Sequence, residues 1–182
     1  MSADDVVEVL RRLEDAGVTA WVDGGWGVDA LVGEQTRPHD DLDLALDRLQ
    51  LVAARDALEG ARFYVDDAAR PGLPARLVLR DQHDRAVDLH PLAFDDAGDG
   101  WQQLSESGKA WGRYPADDLR AEGAIAGLSV RCLSAILQAR FRLGYEWTAK
   151  DEHDVALLVA RFGVPAPPAP RGARRAPPAR PD

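Results

Sequence analysis

Asp41 and Asp43 stand two residues apart inside the run Asp41-Leu42-Asp43-Leu44-Ala45-Leu46. Alternate side chains of a strand share a face, so both carboxylates point to one side while Leu42, Leu44 and Leu46 point to the other. Like charges on one face repel, and a divalent cation is the simplest partner that makes the arrangement favourable. A third carboxylate, Asp88, lies in a second alternating run, Ala86-Val87-Asp88-Leu89-His90, where Asp88 and His90 share the face opposite Val87 and Leu89. Upstream, Gly24-Gly25 ends an apolar run at a strand-to-helix junction, where free backbone N–H groups can face an anion. Taken singly, the glycine pair is turn punctuation and one strand carboxylate is commonplace. Together they are the parts that magnesium-assisted phosphoryl chemistry needs, because Mg2+ takes hard oxygen ligands and leaves octahedral positions for phosphates and water.

The elements that must position these residues follow from periodicity. Ser2-x-x-Asp5 forms a capping box, and Val6, Leu10 and Leu13 make the stripe of a first helix over about 3–16, ended by Gly17. Strands are predicted over 18–22 and 41–46, separated by a short helix over 26–31 that Gly33 closes. A helix runs to Gly60, and strands follow over 61–65, 76–80 and 86–90. The order β-α-β-α-β-β-β predicts an α+β fold, a small mixed β-sheet with helices on one side. Trp101–Tyr114 has no clear period, and Gly123–Arg131 reads as a hairpin turning at Ala126-Gly127. Ser134 and Thr148 cap two further helices, the first running to Gly144 and the second to Gly163, which predicts a helix-rich C-terminal subdomain. The expected division is residues 1–115 as a catalytic domain, 116–163 as the helical part, and 164–182 as a disordered tail rich in proline and arginine.

Composition narrows the partners. The chain has 182 residues and a formal charge of -9, although Arg171, Arg174, Arg175 and Arg180 oppose only Asp182 beyond Val164. An acidic body repels a nucleic-acid backbone and favours a small cationic ligand. The single cysteine, Cys132, forms no internal disulfide and fits a reducing cytoplasm. No apolar run reaches the roughly 20 residues of a membrane span. The expectation is a soluble, cytoplasmic protein, monomer or homodimer.

The stretch Asp23-Gly24-Gly25-Trp26-Gly27-Val28-Asp29-Ala30-Leu31, followed by Thr36-Arg37-Pro38-His39-Asp40-Asp41-Leu42-Asp43, resembles the nucleotidyltransferases of the DNA polymerase beta superfamily. Within it, the chain is most similar to aminoglycoside and lincosamide nucleotidyltransferases. The resemblance implies that Gly24 and Gly25 hold a nucleoside triphosphate, ATP or another, through backbone N–H groups. It implies that Asp41, Asp43 and Asp88 bind magnesium, as two ions, and that Asp88 is also the base for the acceptor hydroxyl. That hydroxyl, on a small molecule such as an antibiotic, would attack the α-phosphorus, with pyrophosphate leaving.

Other residues carry two readings. Arg37 and His39 precede the metal strand and either touch phosphate or are solvated loop side chains. Lys150 occupies a place where the family offers a basic residue near the phosphates; otherwise it is a surface lysine in a first helical turn. His90 either supports Asp88 or is an ordinary strand residue. Trp26 and Trp147 read as packing, and Asp95, Asp96 and Asp99 as an acidic loop that attracts a cationic acceptor or is merely solvated. Asp23 puts a charge before the glycine pair where a small or apolar residue is less surprising. Two other functions keep some support: transfer to a protein or tRNA, for which the basic tail speaks, and a non-catalytic nucleotide-binding module, against which the three carboxylates speak.

Overall fold

The computed structural model describes residues 1–105, 107–143 and 145–168. Three strands form its centre: β1 (Ala20–Asp23), β2 (Asp41–Asp47) and β5 (Ala86–Phe94). β1 pairs antiparallel with β2, and β5 pairs parallel with β2 on its other edge. Around them are β3 (Tyr64–Val65), β4 (Leu77–Arg80), β6 (Gly100–Gln103), β7 (Trp111–Tyr114), β8 (Ala121–Ile125) and β9 (Leu128–Cys132). The main path runs β3-β4-β5-β2-β1-β9-β8, with β6 pairing the far end of β5 and β7 pairing β6. The fold is α+β with a mixed sheet, as the patterning predicts.

Alternation divides the faces. Leu42, Leu44, Leu46, Val87 and Leu89 pack with Val6, Val9 and Leu13 of α1 (Ala3–Asp15) and with Ala54 and Leu58 of α3 (Leu51–Gly60). Each such side chain contributes about 1.5–3 kcal/mol by leaving water, so this layer anchors the strands. The capping box that starts α1 is present, with the Asp5 N–H donating to Ser2 Oγ at 3.2 Å and the Ser2 N–H to Asp5 Oδ2 at 2.8 Å. The opposite face is apolar only beyond the carboxylates. There Ala45 and Leu92 meet Tyr114, Leu133 and Leu137, the last from α4 (Ala135–Arg140). α2 (Gly24–Val32) and α5 (Ala149–Phe162) pack together through Val28 and Leu158.

Several boundaries differ from the periodic expectation. The Trp101–Tyr114 region is the β6–β7 hairpin. β5 continues through Pro91 to Phe94, because β4 ends opposite Leu89 and β6 begins opposite Leu92, so proline falls between two partners. α4 stops at Arg140 and turns, leaving Phe141 against Tyr114 with ring centroids 4.8 Å apart. The β8–β9 hairpin expected from the sequence is present and joins the central sheet through a Val22–Cys132 pair. Val164 is buried with Val28 and Leu158, whereas residues 169–182, most of the expected disordered tail, lie outside the described residues. Among the described residues no helix is long and apolar enough to cross a membrane.

Candidate active site

Strand register sets the site. Asp23 of β1 lies opposite Asp43 of β2, and Asp43 lies opposite Asp88 of β5. Three carboxylates thus stand in one row across three adjacent strands, each pair separated by roughly the 4.8 Å strand spacing. Asp41 is one step further along β2 on the same face and is exposed, while Asp88 is 3% exposed. His90 projects from β5 into the row. Its Nε2 is 3.5 Å from Asp88 Oδ1 and 3.7 Å from Asp43 Oδ1, and its Nδ1 is 3.8 Å from Asp23 Oδ2. One ligand atom from each of Asp43, Asp88 and His90 lies within 4.8 Å of the other two.

The charges explain each other. Burial pushes the Asp43 carboxyl upward; the His90 charge opposes this, Asp41, Asp23 and Asp88 add to it, and the result is about 7. Burial alone would lower His90, but Asp23 and Asp88 beside the ring and the charges of Asp43 and Asp88 outweigh it and hold the imidazole at about 10. The row is therefore short of positive charge and has drawn in what is available.

Arg76 is the second cation drawn in. Its Nη1 donates to Asp88 Oδ2 at 2.6 Å, while its Nε and Nη2 donate to the carbonyls of Pro71 and Arg70 at 3.3 and 3.2 Å. Asp88 Oδ1, by contrast, is buried with no hydrogen-bond partner among the described residues. A buried carboxylate oxygen left unpaired is costly, so this oxygen fits a divalent cation or a proton donor.

The glycine turn closes over the row. Gly24 has φ +62°, and its N–H donates to Asp23 Oδ1 at 2.6 Å. A Cβ on Gly24 would stand 2.1 Å from Asp43 Oδ2, and one on Gly25 would stand 2.4 Å from Arg37 Nη2 and 2.5 Å from His39 Nδ1. Only hydrogen fits at either position, which keeps backbone and carboxylate close around a ligand-sized space.

Arg37 and His39 come to the site already bonded. Arg37 makes a two-pronged pair with Asp154 of α5, Nε to Oδ1 at 2.8 Å and Nη2 to Oδ2 at 2.7 Å, and Arg142 donates to the same Oδ2 at 2.8 Å. His39 lies between Arg37 Nη1 at 3.0 Å and Asp29 Oδ2 at 2.5 Å, and Asp29 also accepts from Thr36 N–H and Oγ1. Burial would raise Asp29, yet the bonds from His39 and Thr36 hold its carboxyl below the ordinary value. These side chains brace the strap between α2 and β2 against α5 while still lining the cleft. Lys150 pairs with Asp40 at the rim, both exposed, with Nζ 2.5 Å from Oδ2.

Gly24, Gly25, Asp23, Asp41, Asp43, Arg37, His39, Arg76, Lys150, Tyr114 and Tyr145 all border one cleft of about 630 Å3, and Asp88 stands behind this lining, bonded to Arg76. The Tyr114 hydroxyl donates to Gln102 at 2.8 Å, and burial together with the charges of Asp23, Asp43 and Asp88 raises its phenol well above the ordinary value. Trp26 is buried beside His39 and Trp147 donates to the Arg142 carbonyl at 2.7 Å, and neither lines the cleft. Asp95 and Asp99 are occupied by Trp101 and Arg113 and do not border the cleft.

A family model described as aminoglycoside-2''-adenylyltransferase matches residues 5–158. The chain belongs to this adenylyltransferase family, and it is an enzyme of the nucleotidyltransferase class. It is 29% identical over 151 residues to a lincosamide resistance protein of Staphylococcus haemolyticus, covering 82% of this chain and 89% of that one. It is 31% identical over 130 residues to a 2''-aminoglycoside nucleotidyltransferase of Escherichia coli, covering 70% of this chain but only 64% of the relative's length. Among solved structures, the lincosamide antibiotic adenylyltransferase LnuA with lincomycin bound superposes with a TM-score of 0.73 at 28% identity, over 85% of this chain and 94% of that one. The crystal structure of ANT(2'')-Ia in complex with adenylyl-2''-tobramycin shares the fold at TM-score 0.66 and 22% identity, over 87% of each chain.

Within the family frame, the structure brings Asp43, Asp88, Gly24 and Gly25 together, sets Asp41 beside them, and leaves Lys150 on the rim. Sequence reasoning passed over Arg76, Arg142 and Asp154. Asp154 carried a signal, since it lies four residues after Lys150 and therefore on the same helix face. Arg76 sits in a loop whose partner is twelve residues away on another strand, and no local pattern points to it.

Proposed function

We propose that the enzyme transfers an adenylyl group from ATP to a hydroxyl of a small molecule, with an aminoglycoside or lincosamide as acceptor, in a magnesium-dependent reaction. One observation carries the reading: the Asp23–Asp43–Asp88 row, whose Asp88 Oδ1 is buried and unpaired among the described residues, stands at a cleft of about 630 Å3 that Asp23 and Asp43 line. That volume suits a small ligand rather than a macromolecular surface. The crowded carboxylates and the orphaned oxygen fit divalent cations, and Asp41, Asp43 and Asp88 would hold them. When bound, magnesium supplies charge neutralisation at the triphosphate and the reacting oxygens.

The protein's own groups supply the rest. The Gly24 and Gly25 backbone would admit the triphosphate closely, since neither position has room for a side chain. Asp88 Oδ1 would accept the proton of the acceptor hydroxyl as its oxygen bonds to the α-phosphorus and the bond to pyrophosphate breaks. Arg76 would keep Asp88 Oδ2 occupied, so a single oxygen is left to act. Lys150, freed from Asp40, would meet phosphate charge at the rim, and Arg37 and His39 would frame the phosphate side. Exposed Asp40 and Asp41 favour a cationic acceptor at the mouth. An ATP donor would suit a reaction in the cytoplasm.

Pyrophosphate release tests this directly. With ATP and Mg2+, wild-type enzyme releases pyrophosphate when lincomycin or tobramycin is added, and Asp88→Asn keeps its circular dichroism but loses orders of magnitude in rate. Release that does not depend on any acceptor, or survives Asp88→Asn, contradicts the reading.

A further inference from the structure

We propose that His90 is itself a ligand of the divalent cation, so that the site binds Mn2+ or Co2+ more tightly than the Mg2+ that supports the reaction. The inference rests on the metal-dependent reading above and adds to its carboxylate set a nitrogen from the same strand.

Three observations carry it. His90 Nε2 faces carboxylates from two different strands, 3.5 Å from Asp88 Oδ1 and 3.7 Å from Asp43 Oδ1. Donors sharing one octahedral ion at about 2.1 Å lie roughly 3 Å apart when adjacent and about 4.2 Å apart when opposite. The observed separations are about half an ångström wider than the adjacent spacing, so a small inward shift of the side chains brings these donors to one ion. Next, Asp88 is a member of this cluster and only 3% exposed, and its Oδ1, the oxygen facing His90 Nε2, has no hydrogen-bond partner among the described residues. Finally, Asp23 Oδ2 stands 3.8 Å from Nδ1, behind the ring nitrogen that does not face the cluster. At this distance the contact is one of charge rather than a hydrogen bond, Nδ1 having no hydrogen-bond partner among the described residues, and it favours the ring orientation that turns Nε2 toward the cluster. Asp23 is itself held, because its other oxygen accepts the Gly24 N–H at 2.6 Å. The charge before the glycine pair thus acquires a purpose that the sequence did not disclose.

Imidazole nitrogen is a softer donor than carboxylate oxygen. Sites that mix the two favour the first-row transition metals, whereas Mg2+ is served best by oxygen alone.

The test is pulsed electron paramagnetic resonance of the full chain with Mn2+ as the only added ligand. Bound Mn2+ is expected to show nitrogen-14 modulation from one imidazole. In His90→Gln the modulation disappears and the Mn2+ dissociation constant rises about tenfold or more, the loss typical when a metal site's histidine support is removed, while the Mg2+ constant from competition moves far less. Bound Mn2+ without nitrogen modulation, or modulation that persists in His90→Gln, overturns the role of His90 and leaves adenylyl transfer standing. Failure of the wild type to bind either ion, with or without ATP, overturns both. Nitrogen-15 labelling of histidine in the wild type reads the same coupling without a substitution, and a modulation unchanged by the label also overturns the assignment.

Discussion

Arg76 Nη1 and Asp88 Oδ2 are 2.6 Å apart, and the guanidinium that makes this contact is pinned by two carbonyls of its own loop. The loop before β4 is thereby tied to Asp88, the end member of the carboxylate row. Arg76→Ala should retain the fold and lower kcat by about 10–100-fold, the usual effect of removing a group that orients a ligating carboxylate. Arg76→Lys should recover only part, since ammonium cannot reproduce the fork that reaches all three oxygens. Steady-state kinetics alongside circular dichroism check this, and an Arg76→Ala rate within about threefold of wild type counts against it.

Gly24 gives a sharper steric prediction. A methyl group there meets Asp43 Oδ2 at 2.1 Å on a backbone already at φ +62°. Gly24→Ala should lose activity almost completely and cost about 1–2 kcal/mol of stability from the left-handed backbone. Thermal melts and turnover measured on the same sample separate the two effects; wild-type turnover would mean that the turn does not approach the carboxylate row.

Asp154 pairs with both Arg37 and Arg142 and is 1% exposed. Removing one member of a buried ion network leaves charge without a partner, at about 3–5 kcal/mol. Asp154→Ala should therefore be among the most destabilising substitutions in α5, read as a lowered urea midpoint. A loss below about 1 kcal/mol would place the pair in the class of solvent-screened contacts.

Acid stability follows from Asp81. Burial would raise its carboxyl, but hydrogen bonds from the Arg85 side chain and from the Arg85 and His83 N–H groups hold it below the ordinary 3.8. A folded value below the unfolded one contributes stability that is complete above about pH 4 and is lost as pH falls through the folded value. Asp81→Asn should flatten the acid limb of the stability curve. An unchanged limb would assign acid sensitivity to other carboxylates, such as Asp29.

Much of this site is local in sequence and therefore legible. The i, i+2 spacing of Asp41 and Asp43 and the alternation through Asp88 follow from strand geometry, and Gly24-Gly25 followed by a short helical run marks the turn. What strand patterns cannot supply is register. That Asp23, Asp43 and Asp88 form one row depends on which residues pair across β1, β2 and β5, a long-range outcome of core packing. Arg76 and Arg142 are invisible for a related reason, as Asp88 and Asp154 lie twelve residues on in other elements, beyond the reach of any local pattern. The β6–β7 hairpin is obscured because Leu104 and Trp111 leave apolar side chains exposed beside its turn, blurring the period-two signal.

The most direct measurement is mass spectrometry of lincomycin and tobramycin after incubation with the enzyme, ATP and Mg2+. Adenylyl transfer predicts that an acceptor gains the mass of one adenylyl group, with pyrophosphate as co-product, and that Asp43→Asn and Asp88→Asn abolish the gain. An acceptor gaining a phosphoryl group instead, or an adenylyl gain undiminished in both variants, would contradict nucleotidyl transfer at the Asp23–Asp43–Asp88 row.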